Sequence, residues 1–431
     1  MLEKIRESID RIKLLSRKKE IKIISHFDTD GITSAAIFSK ALARMGIKFS
    51  LEIVKGLDEN YLKQLDESKV LIFLDLASGS LDYLKTKNTK MFVFDHHEII
   101  QEIPENVFII NPTLEKFEKL SSSAICYLFA REISRENIDL SNLAVTGMIG
   151  DLHDKHIGRI FGEILREGET IVKKGFLIYP STRPLDKTLE YSLNPYIPGV
   201  SGNREGALNL LREAGIKSEN GRFKALYELS DDEMKKIVTG VLLRNNGEID
   251  EESLIGNIFL IKMFNKLEDA RELSALINSC SRMDKPEIAL GFCLGNKASR
   301  EIAEKIYINY KQSLALAMKN VSQIDKIEGK DYLILNAKDR IKDTIIGTVA
   351  SIMSHSPVYD NGLVIVALAY NQDKIKVSAR VVGREGRNVR EVLHKAIVPV
   401  GGEVGGHSNA AGGVISKDKE EEFISELRKI L

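Results

Sequence analysis

Five short strand-like runs alternate with helical patterns through the first 155 residues, and few folds accommodate that rhythm. The runs are Ile21–Ile24, Phe49–Val54, Val70–Leu74, Met91–Phe94 and Val107–Ile110. They are rich in β-branched and aromatic residues, which suits buried strands. Between and around them, 2–18, 32–45, 58–65, 124–133 and 143–150 carry helical spacing or helix-forming composition. Strand–helix–strand repetition of this kind argues for a parallel sheet with right-handed crossovers.

The chemistry sits where the apolar runs stop. Phe92-Val93-Phe94 passes abruptly into Asp95-His96-His97, and Val70–Leu74 ends in Asp75. Ile21–Ile24 runs through Ser25 into His26-Phe27-Asp28-Thr29-Asp30-Gly31, and the 143–150 helix ends at Asp151. In an open α/β sheet, ligands bind beyond the carboxyl ends of the strands. An extended stretch turns residues i, i+2 and i+4 the same way, so His26, Asp28 and Asp30 are expected to share a face. A helix cap explains one of those acids but not the set. Such crowding is costly unless a cation compensates it. Carboxylates and imidazoles without a thiolate suit Mn²⁺ or Mg²⁺, with Zn²⁺ possible. The donors exceed what one ion needs and fit two ions about 3.5–4 Å apart, bridged by a carboxylate.

Beyond this region, two proline-bearing stretches, 179–184 and 194–199, mark a boundary or a structured crossing. From Asn203 to about Asn320 the patterns read as helical, and Glu301–Met318 reads as one long helix. A second α/β unit is expected from Asp331 onward, with paired strands at 363–369 and 374–382. Arg384, Arg387 and Arg390 recur every third residue, which would line one helix face with positive charge. The glycine-rich stretch 400–413 contains Gly405, Gly406, His407 and Asn409, and small residues there admit close approach of a phosphate to main-chain N–H groups. The expected domains are therefore 1–160, 161–325 and 326–431.

Composition narrows the function classes. A formal net charge of zero argues against attachment to nucleic acid by overall charge, though a local basic groove is compatible with it. No run of about 18 apolar residues indicates a membrane span. The charged N-terminus lacks a signal-peptide core, and Cys126, Cys280 and Cys293 form no metal or redox pattern, so a reduced cytoplasmic setting is expected.

Taken together, these residues resemble the DHH phosphoesterase superfamily. The resemblance rests on Asp95-His96-His97, His26-x-Asp28-x-Asp30-Gly31, Asp75 and Asp151, with Gly405-Gly406-His407-Ser408-Asn409-Ala410-Ala411-Gly412-Gly413 resembling the companion C-terminal domain. Length, His26–Gly31 and Leu276–Arg282 are most similar to the archaeal RecJ-like single-strand-specific exonucleases. The resemblance implies an α/β architecture: an N-terminal parallel-sheet DHH domain, a helical middle region with a long connecting helix, and a smaller C-terminal α/β domain, with the active-site cleft between the two. It implies two Mn²⁺ sites, with Mg²⁺ possible. Asp28 would hold the first ion with His26, and Asp75 would bridge. Asp30, His96 and Asp151 would hold the second. His97 would meet the scissile phosphate, Asp95 would orient the histidines, and Arg380, Arg384, His407, Gly405, Gly406 and Asn409 would bind substrate. The implied activity is hydrolysis of single-stranded DNA or RNA in replication, repair or RNA turnover. Oligonucleotide or cyclic-dinucleotide hydrolysis is the alternative within the family. A scaffold role in a replication or RNA-decay complex is the alternative of another class, and relatives imply GINS-type replication-fork proteins as partners. Two features depart from bacterial RecJ proteins: His26 stands where they carry an acid, and no OB-fold module is apparent.

Overall fold

The computed structural model describes residues 1–431 except 116, 193–194, 246–253, 357 and 384–385, and leaves the side chain of 403 undescribed. It divides into two compact units, Met1–Tyr307 and Ile308–Leu431.

The first unit is built on five parallel strands in the order β2-β1-β3-β4-β5. These are β1 (Ile21–His26), β2 (Phe49–Val54), β3 (Val70–Leu74), β4 (Met91–Phe94) and β5 (Val107–Ile110). All five expected strands are present, with β1 reaching two residues beyond Ile24. Side chains alternate between the two faces of the sheet as the two-residue strand period requires. Ile23, Ile72, Phe92 and Phe94 pack with α1 (Leu2–Ser16) and α2 (Thr29–Arg44) into the larger core. Ile24, Leu71, Phe73 and Val93 face the opposite way, toward Leu62 of α3 (Glu59–Lys63) and Leu81 of α4 (Leu81–Leu84). With both faces covered, the strands read as continuous apolar runs.

The larger core also takes in α5 (Ser122–Ile133) and α6 (Ser141–Gly150). Phe38 of α2 stacks on Phe129 of α5 at 4.4 Å between centroids, and Phe94 meets both rings edge-on. The end of β4 is thus clamped just before Asp95. A Cβ on Gly147 of α6 would fall on the hydroxyls of Ser123 and Thr33, so this glycine sets how closely α6 packs on α5 and α2.

The middle of the chain differs from its helical reading. After α7 (Arg159–Glu167), β6 (Ile171–Phe176) begins an antiparallel three-stranded sheet. The helices α8 (Leu185–Glu190), α9 (Arg204–Glu213) and α10 (Asp231–Arg244) follow, then β7 (Ile255–Met263) and β8 (Lys266–Asp269) complete the sheet in the order β6-β7-β8. The three-residue spacing of Ile255, Ile258 and Ile261 imitates a helix face. Pairing of Ile255–Leu260 with β6 satisfies the backbone instead. Then come α11 (Ala270–Arg282), α12 (Pro286–Cys293) and the long helix α13 (Lys297–Val321), which includes the expected 301–318 helix.

The second unit carries six strands: β9 (Lys326–Glu328), β10 (Tyr332–Asn336), β11 (Val364–Asn371), β12 (Lys374–Val381), β13 (Glu403–Gly406) and β14 (Ala410–Ser416), in the order β13-β14-β12-β11-β10-β9. Only β10 and β11 pair in parallel; the remaining pairs are antiparallel. The strands pack with α14 (Asp343–Ser354), α15 (Val389–Ile397) and α16 (Glu420–Ile430). Among the described residues, no one helix carries the expected arginine stripe. Asn388 caps α15 by accepting the Arg390 and Glu391 N–H groups, so Arg387 lies before the helix, and Arg384 lies outside the described residues. No helix among the described residues is long and apolar enough to cross a membrane.

Candidate metal centre

Strand register sets the first row of functional groups. Ser25 lies opposite Leu74, and Leu74 opposite Phe94. The next residue on each chain, His26, Asp75 and Asp95, therefore falls at the same level on the sheet's C-terminal edge. The chain leaves β1 toward β2 on one side, whereas β3 leads to β4 on the other. This divergence between neighbouring strands opens the crevice in which doubly wound sheets bind ligands. Asp75 and Ala77 both have left-handed backbones, with φ of 59° and 89°. Such non-glycine conformations cost about 1–3 kcal/mol each and cluster at functional turns.

Asp75 lies between two histidines and offers one oxygen to each. Its Oδ2 is 3.3 Å from His26 Nδ1, and its Oδ1 is 3.4 Å from His96 Nε2. The Ser122 hydroxyl donates to Oδ1 at 3.1 Å. His26 Nδ1 also lies 3.1 Å from Asp28 Oδ2, and His96 Nε2 lies 2.9 Å from Asp151 Oδ2. Three overlapping groups of convergent donors result: His26, Asp28 and Asp75; Asp75, Asp95, His96 and His97; and His96, Asp151 and His153.

The expected sharing of one face by His26, Asp28 and Asp30 holds only for the first two. β1 stops at His26, Asp28 becomes the N-cap of α2 by accepting the Gly31 N–H at 3.0 Å, and Asp30 enters the helix. A Cβ on Gly31 would run into the carbonyl of His26, so glycine permits this tight strand-to-helix turn. Asp30 is 1% exposed and turns toward α5, where its two oxygens accept the N–H groups of Ser122 and Ser123 at 2.7 and 3.0 Å. The helix N-terminus stabilises that carboxylate. Asp95 is fully buried. Its Oδ1 accepts from His96 N, His97 N and His97 Nδ1 at 2.8, 3.3 and 2.7 Å, and its Oδ2 accepts from Ser78 N at 3.1 Å. Asp95 is thus committed to shaping the histidine turn, which Asn111 closes by donating to the His97 carbonyl.

Electrostatics express the crowding. Burial pulls the pKa of His26 down, but Asp28 and Asp75 overcome it and hold the imidazolium well above its usual range. His96 behaves likewise between Asp151 and Asp75. Burial lifts Asp30 and Asp75, and neighbouring carboxylates lift them further. Asp28 and Asp95 are held low despite burial, by His26 and His97 respectively. His97 is raised because Asp95 outweighs its desolvation. His153 is lowered by burial and by the nearby His96.

The donor set fits divalent cations. Carboxylate oxygens and imidazole nitrogens converge with no thiol among them, which matches Mn²⁺ or Mg²⁺ chemistry. Asp151 Oδ2 is buried and, despite its proximity to His96, has no aligned hydrogen-bond donor. An open recess of about 280 Å³ adjoins the donors, lined by His26, Asp28, Asp30 and Asp151 together with Asn278 and Arg282 of α11. His153, Asn278 and Arg282 were not singled out individually in the sequence. The last two face the strand edge only because α11 packs on α6, a contact between positions far apart in the chain. For His153 a local signal existed, its i+2 spacing from Asp151.

In the second unit, Arg380 of β12 is turned toward α14. Its Nε donates to Ser351 Oγ at 2.9 Å, and its terminal nitrogens donate to the carbonyls of Gly347, Ala379 and Ala411. Gly405 and Gly406 lie on β13, and His407 and Asn409 lie in the exposed turn to β14, closed by His407 N donating to the Ala410 carbonyl at 2.8 Å.

Family models match three segments: the DHH family N-terminal domain over 20–150, the DHH-CID domain over 178–249 and the DHHA1 domain over 329–431. Together they account for most of the chain. It belongs to the DHH superfamily. An uncharacterized protein of Methanocaldococcus jannaschii is 28% identical to this DHH protein, covering 100% of this chain and 99% of the relative. Among solved structures, exonuclease RecJ bound to manganese superposes with a TM-score of 0.61 at 17% identity, covering 98% of this chain and 93% of that one. CDC45 from Entamoeba histolytica superposes with a TM-score of 0.70 at 12% identity, covering 100% and 99%. At these identities the structural likeness establishes a RecJ-like fold. The DHH model spans the strand edge that carries every donor from His26 to Asn111, the DHH-CID model spans α8–α10, and the DHHA1 model spans the second unit's strands β10–β14.

Proposed function

We propose that this DHH protein is a two-metal phosphodiesterase that removes nucleotides from single-stranded DNA or RNA. One observation carries the reading: Asp75 directs one carboxylate oxygen toward His26 and Asp28 and the other toward His96 and Asp151. That is the geometry of a bridging ligand between two cations. When bound, Mn²⁺, or Mg²⁺ in its place, supplies Lewis acidity at the phosphate and acidifies water. Asp28 and His26 would hold one ion, and His96 and Asp151 would hold the other. Asp30 would add its charge to the second position while its oxygens brace α5. Asp95 locks the His97 ring through Nδ1, so that the remaining nitrogen can meet the leaving oxygen. Despite the burial of the ring, Asp95 raises the pKa of His97 and so favours its protonated form. As the oxygen of a water that has given one proton to solvent bonds to phosphorus and the phosphorus–oxygen ester bond breaks, the His97 proton passes to the departing oxygen. Arg282 and Asn278, beside the donors, are suited to hold a nonbridging phosphate oxygen. In the second unit, Arg380, Arg384, Gly405, Gly406, His407 and Asn409 are assigned to strand phosphates.

The test is digestion of end-labelled single-stranded DNA and RNA of several lengths with Mn²⁺, beside an Asp75→Asn variant. Asparagine tolerates the left-handed backbone found there. Stepwise shortening by the wild type, with at least about a hundredfold loss in the variant, is expected. Digestion confined to dimers and trimers would move the assignment to oligonucleotide hydrolysis. Absence of hydrolysis with any divalent ion would overturn the enzymatic reading in favour of a scaffold.

A further inference from the structure

We propose that His153 is a direct ligand of the cation held by His96 and Asp151, and that this second imidazole makes the position select Mn²⁺ over Mg²⁺. The inference rests on the reading of the cluster as a metal centre and adds a ligand to it. Donor atoms of His96, Asp151 and His153 all lie within 4.8 Å of one another. Opposite ligands about 2.0–2.2 Å from one ion span a little over 4 Å, so a small adjustment encloses a cation.

Three local features point the same way. Leu152, between the two donors, adopts a left-handed backbone with φ 59° and ψ 30° while its side chain is 77% exposed. No burial of Leu152 repays that strain, but the turn brings Asp151 and His153 to one side. The next residue, Asp154, is anchored to Arg271 at 2.6 Å, which fixes the turn's exit. Finally, the backbone carbonyl of Lys119 lies beside the His153 ring. A carbonyl so placed can accept the proton of one ring nitrogen and leave the lone pair of the other for a cation, which is the arrangement that ligating histidines adopt. Mg²⁺ favours oxygen ligands and octahedral geometry, whereas Mn²⁺ binds imidazole more readily. Two imidazoles on one ion therefore bias the position against Mg²⁺.

Calorimetric titration of metal-stripped protein with Mn²⁺ and with Mg²⁺ tests this, on the wild type and on His153→Ala and His153→Asp. His153→Ala is expected to weaken one Mn²⁺ position about 10–100-fold and Mg²⁺ binding far less. His153→Asp, which restores an oxygen ligand, is expected to bind both ions and lose the Mn²⁺ preference, and it controls for folding. Unchanged Mn²⁺ affinity in both variants, with a wild type that binds Mn²⁺, would overturn the role of His153 alone. Equal losses for the two ions would overturn the selectivity. A wild type that binds no divalent ion would instead overturn the metal-centre reading.

Discussion

Four ionisable groups around Asp75 hold protons more tightly than they would in water, and the consequence for metal binding has one sign. His26 and His96 are raised, against their desolvation, by the carboxylates beside them, and Asp30 and Asp75 are raised by burial and by each other's neighbours. A ligand must be deprotonated to bind a cation. Below the raised pKa values protons compete with the ion, and above them the competition ends. Apparent Mn²⁺ affinity should therefore fall as pH drops below neutral, by about tenfold per pH unit for each proton displaced. Titration in buffers of different ionisation heat should register net proton release near pH 7. Identical heats in all buffers would contradict the shifts. At this scale the sequence was informative about donor type and silent about partner. Asp95 and Asp30 are both acids beside a strand end or turn. Yet Asp95 spends its oxygens on the histidine turn, and Asp30 spends its own on the α5 N-terminus.

At the level of elements, the site depends on how closely three helices approach behind the sheet. Gly147 lets α6 settle against Ser123 and Thr33, and the same α6 ends at Asp151. Gly147→Ala forces a methyl group into occupied space, so a loss of about 1–3 kcal/mol in stability is expected, measured as a lower urea midpoint with an unchanged slope. Asp151 should also shift, so Mn²⁺ affinity should decline in the same variant. A variant as stable as the wild type would mean that α6 has room to move. Strand positions were legible because buried parallel strands leave uninterrupted apolar runs. The β6–β8 sheet was not, because isoleucines three apart satisfy a helix period equally well, and only pairing with β6 some eighty residues earlier in the chain decides between the two.

Across the molecule, burial also fixes what the chain does not do. Cys126, Cys280 and Cys293 are free thiols, all buried in the core of the first unit. Burial pushes the Cys280 thiol up to about 12 and lifts the other two as well. Since the thiolate is the reactive form, an aromatic disulfide reagent at pH 8 should label none of the three in the native protein and all of them in denaturant. Rapid labelling of one thiol without denaturant would show that this core opens locally. The same reagent, applied with and without Mn²⁺, would report whether cation binding tightens the first unit.

The sequence by itself determined the alternation that makes the parallel sheet, the placing of acids and histidines at its C-terminal edge, and the donor chemistry suited to divalent cations. Those features are local: strand period, apolar run length and residue type suffice for them. Tertiary structure decided which oxygen of Asp75 faces which histidine, that Asp30 turns to α5, and that Asn278, Arg282 and His153, the last hinted at by its spacing from Asp151, join the site. Each of these depends on the register of neighbouring strands, on a strained turn at Leu152, or on helices distant in the chain packing together. No periodicity encodes such long-range contacts.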